Sequence, residues 1–256
     1  MAWFVATVLQ VAEISKTADQ ALAVLLELSE HGPATPAALA RSLKLNRTVV
    51  HRLLSTPHRR GFVTRQADGY VPGAILVRIA NGIQPVLRAQ GRAVMLDLEE
   101  RIGETVVMHI PDGEDAVVLE QVVGERNVVR VEHRIGSRHP LDLGASGRAI
   151  LAFLPTIAEH LVRRSDKPDA LGRQLESVRQ LGYALSHDEL QQGVHGIAVP
   201  VLSASGTAAA SLAVLVPTDR ASGITQHIDA LTDSATLLAE RMFGAIQGNG
   251  RIAAGT

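Results

Sequence analysis

The chain has no cysteine. Disulfide staples, thiolate metal sites and a cysteine nucleophile are thereby excluded. Aromatic side chains are nearly as scarce, at 3% of the sequence: Trp3, Phe4, Phe62, Tyr70, Phe153, Tyr183 and Phe243. A core must then be built from Ala, Val, Leu and Ile. A binder of single-stranded RNA that stacks bases on rings is disfavoured for the same reason. No apolar run reaches the length of a membrane span. The nearest approach is Met1–Ala12, which has no basic flank before it and no evident small-residue cleavage site. It reads as an N-terminal arm, and a soluble cytoplasmic protein with no membrane partner is expected. What is present is 256 residues, 46% of them apolar. That length suits two domains, and the composition argues against wholesale disorder.

The net charge of −1 is an average over two unlike parts. Between Gly32 and Tyr70 stand Arg41, Lys44, Arg47, Arg52, Arg59, Arg60 and Arg65 against the single acid Asp68, a net of +6. The rest of the chain carries 18 basic and 25 acidic residues, a net of −7. Such a split points to one segment that meets phosphate and a remainder that does not.

The local pattern of that segment is helical. Lys16–Glu30 places Ala21, Leu22, Leu25, Leu26 and Leu28 at helical spacing, with Thr17 and Gln20 as a capping box. His31-Gly32-Pro33 stops it. Thr35 and Pro36 then open a short helix to about Leu43. Asn46 caps a third helix whose buried stripe is Val49, Val50, Leu53 and Leu54. Pro57 should end or kink that helix. Gly61–Arg65 and Tyr70-Val71 form a hairpin bent at Ala67-Asp68-Gly69. Helix, short helix, turn, helix and hairpin is the order of a winged helix-turn-helix, whose second helix of the pair enters the major groove. Arg suits guanine and Asn suits adenine there. The DNA-facing candidates are Thr35, Arg41, Lys44, Asn46, Arg47, Thr48, His51, Arg52 and Arg65. Arg59 and Arg60 are further candidates for flanking phosphate. The plain alternative is the solvated face of an amphipathic helix.

Residues 79–104 read as one long helix, or two interrupted near Gly91 with Pro85 as a start of the first piece, that connects the domains and stops at Gly103. From Thr105 the period changes. Thr105–Ile110, Asp115–Val123 and Val128–Glu132 are β-branched runs between turn residues. Helices are expected at Arg148–Leu154, Ile157–Leu181 and Thr225–Ile246, and strands at Tyr183–Ser186, Ile197–Val201 and Ala208–Val216. The fold class is therefore α+β with two domains and a largely antiparallel sheet. The expected division is an extension 1–15, a winged helix-turn-helix 16–78, a linker helix 79–104, a second domain 105–247 and a disordered tail 248–256.

Several stretches resemble the IclR family of bacterial transcriptional regulators. In the first half they are Ala21-Leu-Ala-Val-Leu-Leu-Glu-Leu, Leu39-Ala-Arg-Ser-Leu-Lys-Leu, Thr48-Val-Val-His-Arg-Leu-Leu and Arg60-Gly-Phe-Val. In the second they are Gly144-Ala-Ser-Gly-Arg-Ala-Ile-Leu-Ala-Phe-Leu-Pro, Leu181-Gly-Tyr-Ala and Asp188-Glu-Leu-Gln-Gln-Gly-Val-His-Gly-Ile-Ala-Val-Pro-Val. The resemblance implies a GAF-like effector domain behind the winged helix-turn-helix. It also implies operator binding as a homodimer or dimer of dimers, a repressor or activator role, and an organic or aromatic acid as effector. The chain departs from the family at His58-Arg59, where relatives carry an acidic pair, and in Met1–Ser15, which the family pattern does not explain.

Ala145-Ser146-Gly147 sits where a loop enters a helix, and free N–H groups with the helix dipole favour a carboxylate there. The same three residues also suit a tight helix-entry turn. Carried over from the family, the effector candidates are Ala145, Ser146, Ser186, Gly196, Ala213 and Leu215. Relatives that bind very small oxo-acids carry polar groups at several of these places. Apolar Ala213 and Leu215, with Gly196, imply a roomier and more apolar pocket.

Enzyme readings find little support. Gly144-Ala145-Ser146-Gly147 misses the nucleophile elbow by one residue and the phosphate loop by its Lys-Ser/Thr ending. His133 and His139 lack a third ligand at metal spacing, so no cofactor or metal is expected. A hydrolase or transferase with an accessory helical domain, acting through Ser146, is the alternative from another class. A protein-interaction module is a third.

Overall fold

The computed structural model describes residues 14–244. Most of the expected N-terminal arm and the whole of the expected tail lie outside them. The described residues divide into two compact units, separated between Gln84 and Pro85.

The first unit holds α1 (Lys16–His31), α2 (Pro36–Ser42), α3 (Arg47–Arg60), the hairpin β1 (Val63–Gln66) and β2 (Gly69–Pro72), and α4 (Ile75–Ala80). Its core gathers Val24 and Leu28 of α1, Leu39 of α2, Val50, Leu53 and Leu54 of α3, and Val63 of β1. Two expected caps form. Thr35 Oγ1 accepts the Ala38 N–H at 3.2 Å, and Asn46 Oδ1 accepts the Thr48 N–H at 2.9 Å. The capping box at Thr17 does not: the N-cap is Ser15, whose carbonyl takes the Asp19 N–H at 2.9 Å. Nor does Pro57 end α3. Its ring is buried, it forfeits one bond of the ladder, and Gly61, left-handed at φ 78°, closes the helix. The wing is held to the α1–α2 turn by paired bonds between Ala34 and Tyr70 (2.9 and 3.1 Å). Beside them Gly69 leaves no room for a side chain, since a Cβ would lie 2.4 Å from the Ala34 carbonyl oxygen.

The second unit begins with α5 (Pro85–Ile102) and continues β3 (Thr105–Asp112), β4 (Asp115–Val122), β5 (Arg138–Pro140), α6 (Gly144–Leu151), α7 (Pro155–Arg164), α8 (Pro168–Leu181), β6 (Ala184–His187), β7 (Val194–Leu202), β8 (Ala208–Pro217) and α9 (Ile228–Phe243), with a 3-10 segment at Thr218–His227. The six strands form one sheet, ordered β5-β4-β3-β8-β7-β6, and every pair is antiparallel. Residues alternate between its faces. Val106, Met108, Ile197, Val199, Leu212 and Val214 meet Val94, Met95 and Leu98 of α5 and Leu231 and Leu238 of α9. On the other face Ala184, Ala198 and Ala213 receive α6, with α7 and α8 behind it. Small residues there bring α6 close to the sheet.

Two expectations fail here, and one strand was not foreseen. The 79–104 stretch is not one helix and is not interrupted at Gly91: α4 ends at Ala80, and α5 opens at Pro85 and stops before Gly103, at the two boundaries expected. Gly91 lies inside α5, where a Cβ would stand 2.6 Å from Met108 Cε; the missing side chain serves helix–sheet contact. Val128–Glu132 is not a strand. Val128 is fully exposed and only Val131 is buried, so a β-branched run without a partner strand stays irregular. The partner of β4 is β5 instead, three residues that carry no β signature.

Candidate nucleic-acid interface and effector cavity

All nine DNA-facing candidates are exposed. Arg47, Thr48 and His51 lie on the side of α3 opposite the buried Val50, Leu53 and Leu54. Arg52 borders the groove between α1 and α3. Arg41 and Lys44 flank the turn into α3, and Arg65 stands on the wing. Among the described residues none of Arg41, Lys44, Arg47, Arg52 and Arg65 has a carboxylate partner. In the second unit most arginines are paired, as Arg138 is with Asp115 and Arg220 with Glu104. Unpaired cations on an exposed helix can neutralise phosphate without first breaking an ion pair. Asn46 is placed as expected but already employed: its side-chain oxygen caps α3, which leaves its NH2 group for a base or phosphate.

The second site lies on the α6 face of the sheet. Ala145, Ser146, Ser186, Gly196 and Leu215 line one cavity, together with His109, His133, Leu190, Gln191 and Val194. Ala213 does not reach it and packs in the core under α6. The loop-to-helix reading needs a small change too. Gly144 is the first helical residue, so Ala145 and Ser146 stand in the first turn of α6, where backbone N–H groups have no intrahelical acceptor. The cavity is not roomy. Its volume is about 20 Å³, space for about one water molecule. Gly196 borders it, and a Cβ there would lie 3.0 Å from Ser186 Oγ and 3.2 Å from Leu215 Cδ2.

An ion pair positions the cavity's outer wall. Arg148, buried in α6, bonds both carboxylate oxygens of Glu189 (2.6 and 2.7 Å) and the Leu185 carbonyl (2.7 Å). Glu189 also accepts the Gly144 N–H at 2.9 Å. Burial works to raise the Glu189 pKa, but the Arg148 bonds, the Gly144 N–H and the Arg148 charge outweigh it and hold the carboxylate below its usual range. The clamp carries Leu190 and Gln191 over the cavity. These two are invisible from sequence, because the contact that places them joins residues 41 apart.

His109 was also missed, and its only sequence signal is a polar residue inside the apolar run of β3. It is 1% exposed, and both its ring nitrogens lack a partner. His139 lies edge-on at 5.3 Å between ring centroids and His133 at 6.2 Å. Burial, then the neighbouring His139 and His133, keep the His109 imidazole well below its ordinary pKa. Burial likewise lowers His133 and His139. No group of three such residues among those described is arranged to hold a metal ion.

Residues 84–239 match the family described as bacterial transcriptional regulator IclR, C-terminal. The chain belongs to the IclR family. Residues 17–70 match the MarR family. The HTH-type transcriptional regulator KipR of Bacillus subtilis is 29% identical over 215 residues, which cover 78% of this chain and 85% of KipR. The fold is that of the Thermotoga maritima IclR (TM-score 0.73, 24% identity, 89% of this chain and 98% of that one). An IclR homologue from Microbacterium hydrocarbonoxydans, complexed with 4-hydroxybenzoate, has the same fold (TM-score 0.76, 22% identity, 88% and 98%). The chain is thus an IclR-family transcriptional regulator with a DNA-binding winged helix-turn-helix and an antiparallel α+β domain, and not an enzyme. The hydrolase or transferase alternative falls with that.

Proposed function

We propose that the protein represses transcription from an operator in the cytoplasm, as a homodimer or dimer of dimers, and that a small organic acid bound in the second unit changes its grip on DNA. The observation that carries the effector half is the cavity itself: a helix N-terminus with backbone donors, and walls of Leu215, Val194 and Ala145. Such a site suits a carboxylate on an apolar body. The Microbacterium homologue, complexed with 4-hydroxybenzoate, is consistent with this reading. At about 20 Å³ the cavity must open to admit any such ligand, so binding selects a conformation other than the closed one. The DNA half rests on the unpaired cations at the start of α3 and on the wing. Residues Thr35, Arg41, Lys44, Asn46, Arg47, Thr48, His51, Arg52 and Arg65 are assigned to it.

A mobility-shift assay with the DNA upstream of the gene tests both halves. Binding should weaken steeply with salt. Arg47→Ala should weaken it by about tenfold or more, the loss of one base contact. An effector acid should change the affinity of the native protein and not of Gly196→Val, whose side chain fills the cavity. Deleting the gene should raise transcription from that promoter, and a fall would make the protein an activator. Salt-insensitive binding would remove the DNA assignment, and acid-insensitive binding would remove the effector.

A further inference from the structure

The described residues leave few buried side-chain polar atoms without a hydrogen-bond partner. Arg88, which has other interactions, accounts for one. The rest are Nδ1 and Nε2 of His109, Nε2 of His139 and Oγ of Ser211. They are neighbours. Ser211 is the register partner of His109 across β3 and β8, and the His139 ring stands 5.3 Å from that of His109. His109 lines the cavity together with the first turn of α6. A cluster of unsatisfied groups is costly in a closed interior, and native proteins seldom keep one without a use.

The chemistry of these atoms is specific. His139 directs Nδ1 at the Pro140 carbonyl, 3.0 Å away, which fixes the proton there and leaves Nε2 as an acceptor. A neutral His109 ring offers one donor and one acceptor. A second carboxylate would find no cation among these imidazoles, which burial keeps uncharged at neutral pH. A hydroxyl both donates and accepts, and so satisfies donor and acceptor together.

Resting on the organic-acid reading above, we infer that His109 is the specificity residue of the cavity and that the effector is a hydroxylated monocarboxylic acid. Its carboxylate takes the N–H groups of α6, and its hydroxyl takes the His109 recess beside His139. The apolar body between them lies against Leu215 and Val194.

The test is calorimetric titration of the full-length protein with matched acids: benzoate against its three monohydroxy isomers, and butyrate against 3-hydroxybutyrate. At least one hydroxylated acid should bind about tenfold more tightly than its parent, the worth of one well-made hydrogen bond. His109→Phe, which keeps a ring and removes both nitrogens, should bring that acid down to the level of its parent, and His109→Gln should restore part of the difference. If His109→Phe does not fold, imidazole nitrogen NMR of the native protein replaces it: the hydroxylated acid should shift the His109 resonances and the parent should not. Equal binding of parent and hydroxylated acid, or a preference that survives His109→Phe, overturns the inference and leaves the organic-acid reading standing. Failure of every acid to bind overturns both.

Discussion

At the scale of single residues, the Arg148–Glu189 pair sets a buried guanidinium against a part-buried carboxylate. Arg148 is 4% exposed, and its guanidinium is matched by one carboxylate and the carbonyls of Leu185 and Asp142. Glu189→Gln keeps the shape and removes the countercharge. Breaking a buried pair in this way costs about 3 kcal/mol. Urea unfolding should show a loss of that order, and a change below about 1 kcal/mol would mean the pair is well solvated. The same variant frees the segment that carries Leu190 and Gln191, so the cavity should open more easily. Residue-level reading of the sequence succeeded where chemistry is local. Thr35 and Asn46 are caps because each sits one residue before a helix that their own side chains complete. It failed at His109, Leu190 and Gln191. Burial of a strand histidine, and a loop pulled in by an arginine 41 residues away, are set by tertiary contacts that no window of sequence contains.

At the scale of elements, glycines separate two kinds of close packing. Both Gly91 in α5 and Gly147 in α6 stand in helices, where alanine is intrinsically better by about 1 kcal/mol. At Gly91 the obstacle is the end of the flexible Met108 side chain, which can swing aside. At Gly147 it is backbone: a Cβ would lie 2.7 Å from the Leu141 carbonyl oxygen and 3.0 Å from that of Pro140. Thermal melts should therefore show Gly91→Ala near neutral and Gly147→Ala destabilised by about 2 kcal/mol, a typical cost of overpacking. Equal effects would mean that α6 can move away from the β5–α6 turn. The helices of both units were legible from apolar spacing and from Pro and Gly boundaries. Strands were legible from their apolar runs and bounding turns, as in β3, β4, β7 and β8, and also at the edge in β6. The run Val128–Glu132 was misread because β propensity describes a surface to pair with, not the pairing itself. β5 was missed because Arg138-His139-Pro140 becomes a strand only through β4.

At the scale of the whole molecule, pH acts through the buried imidazoles. The folded pKa of His109 lies well below 6.5 while the unfolded chain titrates near 6.5, so below that pH the unfolded state binds more protons. Stability from this ring is complete above about pH 6.5 and is lost as the pH falls toward the folded value, at up to about 1.4 kcal/mol per pH unit. His133, His139 and His227 are shifted the same way. Melting temperature should fall from pH 7.5 to pH 5.5, and His109→Phe should flatten the fall; an unchanged slope would place its source in the other three. Charge acts at this scale as well. The net of +6 over Gly32–Tyr70 and −7 elsewhere gives the chain an electrically lopsided character that its overall −1 conceals. Near a polyanion, one part is drawn in and the other pushed back. Under the DNA assignment proposed above, encounters are oriented before any base is touched, and the arginines of Gly32–Tyr70 let the protein slide along non-specific DNA. Added salt should therefore slow arrival at the operator as well as shorten the stay there.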